Sequence, residues 1–304
     1  MISIVVPVYN ERENIKPLYE KIREAIKENF EVIFVDDGSN DGTYEEIKKL
    51  HSNDERIKCI RFTRNFGKTA ALMAGFDACN GNIVVTIDGD LQNDPEDIPK
   101  LVEMLDEYDV VNGWRYERHD PITKRLPSKI SNMLSRWLTG LNLHDFNCGL
   151  KAYKKEVLKD LELYGEMHRY IPAILAWRGY RVGEIKIKHH ERIHGKSKYG
   201  GTRLFRGLMD LINFKFWAGY STRPLHFFGG VGLSLFLIGF IISFYLLILK
   251  IFYHESLSDR PLLLLGILMI LVGLQIFLTG FMAEMVVRSY YSKRKSYVIK
   301  EKIE

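Results

Sequence analysis

Residues 81–96 read GNIVVTIDGDLQNDPE, a short apolar run that passes directly into Asp88 and Asp90, one residue apart. Val, Ile and Thr suit a pleated, half-buried surface, so Ile83–Ile87 is predicted as a strand with both carboxylates at its carboxyl end. Open α/β sheets receive their ligands at that end. Hard divalent cations such as Mg²⁺ take oxygen ligands, commonly one or two carboxylates plus the substrate's phosphates. Asp88 and Asp90 are therefore candidates for a metal–diphosphate site, with Gln92 as a third oxygen donor. Acids at strand ends also cap turns, and that reading stands beside the first.

The upstream chain repeats the pattern. Ile2–Val8, Val32–Val35 and Lys58–Phe62 read as strands, and Ile15–Lys27, Tyr44–His51 and Lys68–Cys79 as helices between them. Strands alternating with helices imply βαβ units and a largely parallel sheet. Ser39, Asn40, Asp41 and Gly42 form a polar turn with residues suited to an N-cap of the helix at 44–51. The first strand runs out through Pro7, Tyr9 and Glu11, and the second through Asp36, Asp37 and Gly38. Three polar strand ends on one sheet edge would build a nucleotide cleft.

The rest of the 304 residues adds a second character. Residues 227–249 carry no charge, and about 20 apolar residues span a bilayer. A second run, Leu262 to Val287, is interrupted by Gln275 and Glu284. Two membrane helices are expected, with a pair of buried core helices as the alternative. Lys and Arg concentrate on the cytoplasmic side of spans. Lys215 and Arg223 precede the first run, and Arg288, Lys293, Arg294, Lys295, Lys300 and Lys302 follow the second. Between the runs stand Lys250, at the end of the first, and Arg260, the one Lys or Arg of the link FYHESLSDRP. The amino-terminal body and both termini are thus expected in the cytoplasm of a multi-pass membrane protein. The division is 1–202 for the soluble domain, 203–225 for an amphipathic juxtamembrane segment, 226–287 for the spans and 288–304 for a basic tail. Two spans leave a small footprint, compatible with a homo-oligomer. The formal charge of +5 follows these membrane ends and no groove-binding motif, so nucleic acid is not an expected partner. Cys59, Cys79 and Cys148 form no C-x-x-C pair, which argues for a reduced setting without structural disulfides or zinc. Met1 runs directly into the first strand, so no secretory leader is expected.

The stretches VVPVYNERENI, VDDGSNDGT and IDGDLQNDPE occur in that order, followed by RNFGKTAALMAGFDACNG, DFNCGLKAY, HRYIP, HERIHGKSKYG and GLQIFLTGFMAE. Together they resemble the family 2 glycosyltransferases with the GT-A nucleotide-diphospho-sugar transferase fold. Within them they resemble the polyprenyl-phosphate glycosyltransferases, the dolichol-phosphate mannose synthase-like group, and the two-span arrangement is similar to the bactoprenol glucosyltransferase type. The likeness covers nearly the whole chain. It departs in Asp88-Gly89-Asp90, where the family often has Asp-Ala-Asp, and the Gln-x-x-Arg-Trp motif of processive synthases is absent.

The resemblance implies roles. Pro7, Tyr9, Glu11, Asp36, Asp37 and Asp88 fall where the family holds the nucleoside diphosphate. Asp88, Asp90 and Gln92 fall where it binds Mg²⁺ or Mn²⁺. Lys68 would reach sugar or phosphate, and Arg192, Lys196 and Ser197 would close over them as a lid. Arg115, Arg125 and Ser128 resemble the lipid-phosphate site, and Asp145 the acid near the acceptor. Turn capping by Asp36-Asp37, a solvated Lys68, basic faces of no special role, and an Asp145 paired with a nearby Arg are the plainer readings. Asp145 is thereby a candidate catalytic base or sugar-orienting residue, beside Asp90 in the catalytic set. A phosphate monoester's second pKa is about 6, so little proton abstraction is needed, and orientation is a hypothesis that stands beside the base reading. Ile130, Met133, Leu134, Trp137, Leu138 and Leu141 recur at helical spacing, which suits a helix lying in the bilayer surface or packing in the core. His189, His190 and His194 are read as non-ligands.

The implied activity is inverting, metal-dependent transfer of one sugar from a nucleoside-diphosphate sugar to a polyprenyl phosphate at the cytoplasmic face. UDP-glucose is the expected donor, with N-acetylglucosamine, mannose or a modified arabinose as competitors. A family 2 transferase using another lipid or lipid-linked glycan, and a non-catalytic membrane scaffold that keeps the fold, are the alternatives.

Overall fold

The computed structural model describes residues 1–116, 132–133, 135–137, 139–159, 161–163, 165–191, 220, 223–253, 256 and 261–291. The chain forms two units, Met1–Lys215 and Phe216–Glu304.

In the first unit the strands are β1 (Ile2–Val8), β2 (Phe30–Asp36), β3 (Ile57–Arg61), β4 (Ile83–Thr86), β5 (Val110–Arg115), β6 (Lys151–Lys154) and β7 (Val182–Ile187). They make one sheet in the order β3-β2-β1-β4-β6-β5-β7. Every neighbouring pair is parallel except the two that involve β6. β1 and β2 are apolar without alternation because helices cover both faces of a parallel sheet. Ile4, Val5, Val6, Val32, Ile33, Phe34 and Val35 are fully buried. The first four strands match the expected ones within two residues of each boundary. β5, β6 and β7 were not foreseen.

Helices α1 (Arg12–Ala25), α2 (Thr43–His51) and α3 (Lys68–Ala78) connect the parallel strands, and α4 (Ile98–Glu103) and α5 (Ile171–Trp177) follow. α1 turns Ile15, Leu18, Tyr19 and Ile22 into the core at helical spacing. The polar turn before α2 works differently from expectation. Gly42 holds the N-cap position with a left-handed φ of 91° and has no side chain to cap with. Asp41 instead accepts from the Thr43 and Arg12 amides at 3.0 and 3.2 Å.

Strand order places the site. β1 is hydrogen-bonded to β2 on one side and β4 on the other, so the connections diverge between β1 and β4 and open a crevice at their carboxyl ends. Antiparallel β6 begins at that same edge, with Lys151 opposite Thr86.

The second unit contains α6 (Pro224–Tyr253) and α7 (Pro261–Tyr291). At 1.5 Å per residue each is about 45 Å long, more than the roughly 30 Å hydrocarbon core. Their apolar stretches have mean hydropathies of 2.6 and 2.7, yet only 11% of each is buried. A soluble core helix would bury such a surface, whereas lipid solvates it. The helices pack closely because a Cβ on Gly232 would sit 2.6 Å from the Gly273 carbonyl oxygen. Glu284, the one acid of the second run, lies 3.4 Å from the Leu225 amide in the first turn of α6, where the helix dipole favours negative charge.

Candidate active site

Thr86 ends β4, and two residues later Asp88 turns into the crevice. Its carboxylate lies against Gly149, where any Cβ would overlap it. Lys68, the first residue of α3, forms an ion pair with it through Nζ and Oδ1. Burial opposes ionisation of Asp88, but the Lys68 ammonium outweighs it and holds the carboxyl below the usual range. Asp90 accepts from the Gln92 amide at 3.3 Å. Between them Leu91 takes a left-handed φ of 59° while buried, a conformation uncommon for a branched residue and characteristic of sites where geometry is imposed.

This loop is tied to the chain leaving β7. The His190 amide donates to the Gln92 carbonyl at 2.8 Å, Asn93 bridges His189, and His190 Nε2 is 2.9 Å from Asp94 Oδ2. The Lys188 amide donates to Asp97 at 2.7 Å. His190 therefore fastens the loop. The Gln92 side-chain amide is directed to the His190 carbonyl, 3.5 Å away.

Among the described residues no three His, Cys, Asp or Glu side chains converge as a complete metal cage. Asp88 and Asp90 instead offer two hard oxygen donors at a crevice mouth, and a cradle that only glycine at 149 leaves open for the first. That donor set fits Mg²⁺ or Mn²⁺ shared with a substrate's phosphates.

The expected nucleoside residues surround the ends of β1 and β2. Pro7 and Tyr9 are partly exposed and Glu11 is buried, its carboxylate accepting from Asn14 Nδ2 at 2.6 Å. Asp36 is fully buried and accepts from the Ser39 amide at 2.9 Å. Asp37 accepts from the amides of Phe66 and Gly67 at 2.6 and 2.9 Å, and so shapes the turn that aims Lys68. Burial raises the Asp37 carboxyl above the usual range despite those amides.

Asp145 and Arg115, read in separate roles from the sequence, form one buried pair. Arg115 Nε donates to Oδ2 at 2.6 Å and Nη2 to Oδ1 at 3.0 Å. Burial alone would lower the guanidinium pKa, but Asp145 raises it. Glu184 on β7 accepts from the Asp145 amide at 3.1 Å, and Asn112 donates to the Asp145 carbonyl at 2.9 Å. The pairing with an arginine, the plainer alternative for Asp145, is thus present. Arg125, Ser128, Arg192, Lys196 and Ser197 lie outside the described residues. So do Ile130, Leu134 and Leu138 of the stripe and all of 203–217, whereas Met133 and Trp137 are described and are 61% and 78% exposed.

Sequence reasoning missed the floor of the crevice. A small cavity there is lined by Lys68, Asp88, Cys148, Lys151, His168 and Arg169, among others. His168 Nδ1 is 2.8 Å from the Thr69 hydroxyl, and burial pushes its pKa well below the ordinary value, so it is neutral. Burial lowers Lys151 to about 8. DFNCGLKAY contains Lys151 and HRYIP contains His168 and Arg169, but neither stretch says that these chains meet.

Residues 3–162 match the family described as glycosyl transferase family 2. The chain is 40% identical over 311 residues to a protein of Rhizobium johnstonii named dodecaprenyl-phosphate galacturonate synthase, with 99% of this chain and 92% of that protein covered. It is 34% identical over 300 residues to a Pseudomonas aeruginosa protein named undecaprenyl-phosphate 4-deoxy-4-formamido-L-arabinose transferase, covering 97% and 87%. Among solved structures it resembles glucosyl-3-phosphoglycerate synthase from Mycobacterium tuberculosis with Mn²⁺, UDP-glucose and phosphoglyceric acid. That likeness has a TM-score of 0.56 at 19% identity, over 71% of this chain and 79% of the other. A mannosyltransferase from Pyrobaculum calidifontis with GDP-mannose and Mn²⁺ gives a TM-score of 0.50 at 17% identity, over 97% and 76%. These likenesses establish the GT-A fold.

Proposed function

The chain belongs to glycosyltransferase family 2, and from that premise we propose that it transfers one sugar from a nucleoside diphosphate to a polyprenyl phosphate at a membrane surface. The observation that carries this reading is the Lys68–Asp88–Asp90 crevice at the β1/β4 switch point, in a chain that also has two lipid-length helices. Both relatives are named for transfer to a polyprenyl phosphate.

The nucleoside lies against Tyr9, Glu11 and the β2 exit. Asp88 and Asp90 hold a divalent cation, Mg²⁺ or Mn²⁺, which when bound supplies Lewis-acid support for the departing diphosphate. Lys68 steadies Asp88 and faces the same negative charge. An arginine has five N–H donors, and Asp145 takes two of those of Arg115. The remaining ones face the acceptor phosphate, and Asp145 keeps the fork rigid. A phosphate oxygen of the lipid attacks the anomeric carbon as the bond to the nucleoside diphosphate breaks on the opposite face, so configuration inverts. The acceptor is already mostly deprotonated at neutral pH, and catalysis rests on placement and charge stabilisation.

Neither relative is named for glucose, the donor expected from sequence. A uronic acid or an amino-arabinose derivative is the better supported class. The catalytic unit and both termini are assigned to the cytoplasmic side on the Lys and Arg distribution.

The test is label transfer from a panel of UDP- and GDP-sugars to a short polyprenyl phosphate, with purified protein, Mg²⁺ or Mn²⁺, and Asp90→Ala alongside. Metal-dependent label in the lipid fraction from one donor, at least about 100-fold reduced in the variant, is expected. Folded protein that binds no sugar nucleotide and transfers none would support the scaffold reading instead.

A further inference from the structure

The floor of the crevice holds a charge that the protein itself leaves short of partners. Lys151 is 4% exposed, and its Nζ donates to the Phe146 carbonyl at 3.2 Å. An ammonium has three donors, yet no other described residue accepts from this one. Asp88 and Asp145 act on it only across space. Each remaining cation of the cavity has an acid of its own: Lys68 pairs with Asp88, and Arg169 Nη2 lies 2.8 Å from Glu166. His168 is neutral. A buried charge with no acid hydrogen-bonded to it is costly, and here it borders a cavity.

Depth decides what reaches it. Asp88 and Asp90 stand beyond the end of β4, whereas Lys151 is in register with Thr86, two residues further in. A diphosphate held at the two aspartates leaves the inner position to the sugar. A neutral hexose or a formamido sugar brings hydroxyl or amide dipoles there but no charge, whereas a hexuronic acid brings a carboxylate.

We propose that the cavity under Asp88 receives the carboxylate of a nucleoside-diphospho-hexuronic acid, with Lys151 Nζ as its counter-ion. This rests on the reading of the chain as a sugar-nucleotide transferase and assigns the donor class and the residue that selects it. Lys151 is a specificity residue that touches the sugar.

The experiment compares UDP-galacturonic acid, UDP-galactose and UDP by isothermal titration calorimetry on the full chain in detergent. The two sugars differ only in a carboxylate against a hydroxymethyl group at C6. Wild type is expected to bind the uronate at least about tenfold more tightly than galactose, as a charge-assisted hydrogen bond would give. Lys151→Met and Lys151→Gln should bring the two within about twofold while leaving UDP affinity unchanged, which also reports that they fold. Equal affinity of wild type for both sugar nucleotides overturns the proposal, whatever the variants do. A loss of UDP affinity in well-folded variants equal to the loss of uronate affinity also overturns it, because Lys151 would then serve the diphosphate. Selective binding without transfer to polyprenyl phosphate would sink the acceptor reading and leave the Lys151 assignment in place.

Discussion

At the scale of single residues, the pairing of Asp145 with Arg115 changes what a mutation there reports. Removing one partner of a buried ion pair leaves the other charge stranded, at about 3–5 kcal/mol. Asp145→Ala is therefore expected to lower the melting temperature as well as turnover. Asp145→Asn keeps an acceptor for Arg115 and should retain more of both. Thermal melts measured beside transfer rates check this: equal large losses of turnover in both variants, with unchanged melting, would mean that Asp145 works as a base. The acid itself was legible in DFNCGLKAY. Its partner was not, because Arg115 lies thirty positions away on β5 and the two meet only when β5 is placed in the sheet. Lys68 was legible as a helix-start lysine, but its ion pair with Asp88 needed the β1/β4 crevice to exist.

At the scale of elements, one buried carboxylate stitches the sheet at the edge opposite the site. Glu31 on β2 accepts from Ser3 on β1 at 2.5 Å, from Lys58 on β3 at 2.6 Å and from the Asn80 amide at 2.7 Å. Burial opposes its ionisation, yet these donors outweigh burial and bring the pKa from 4.5 down to about 2. A carboxyl depressed on folding stabilises the fold above its unfolded pKa, and that stability is lost as pH falls through the folded one. Stability should therefore decline from near pH 4.5 towards pH 2. Glu31→Gln should cost about 2 kcal/mol at neutral pH and flatten that decline, as melts across the acid range would show. A steep acid decline unchanged in the variant would assign it to other groups. The helical hairpin makes its own prediction. Gly273→Leu forces α6 and α7 apart where a Cβ would already sit 2.5 Å from the Phe236 amide nitrogen and should lower the melting temperature of the full chain in detergent. Leu271→Ala on the exposed side of α7 should not. The spans were legible as long apolar runs, the first without charge and the second with only Glu284, but their contact stripe was not, since Gly230 lies off it and composition alone does not separate it from Gly232.

At the scale of the whole molecule, a soluble nucleotide fold and a lipid-length hairpin share one chain, which suits a reaction whose donor is water-soluble and whose acceptor is held in the bilayer. On the distribution of the basic residues flanking the spans, we propose that both ends lie in the cytoplasm. A reporter fused after Glu304 that matures only in the cytoplasm should be active, and one placed in the link near Ser256 inactive. The reverse pattern would put the catalytic unit on the wrong side for cytoplasmic sugar nucleotides.

The sequence by itself determined the alternation of strands and helices, the acidic exits of β1, β2 and β4, the two membrane-length runs and the family. Each of these is written in neighbouring residues: apolar periodicity, a polar strand end, a run without charge. The tertiary structure alone decided that β6 runs backwards between β4 and β5. That reversal brings Lys151 under Asp88, seats the Asp88 carboxylate on Gly149 and lets Arg115 reach Asp145. Strand order joins residues far apart in the chain, and no local pattern of polarity records it.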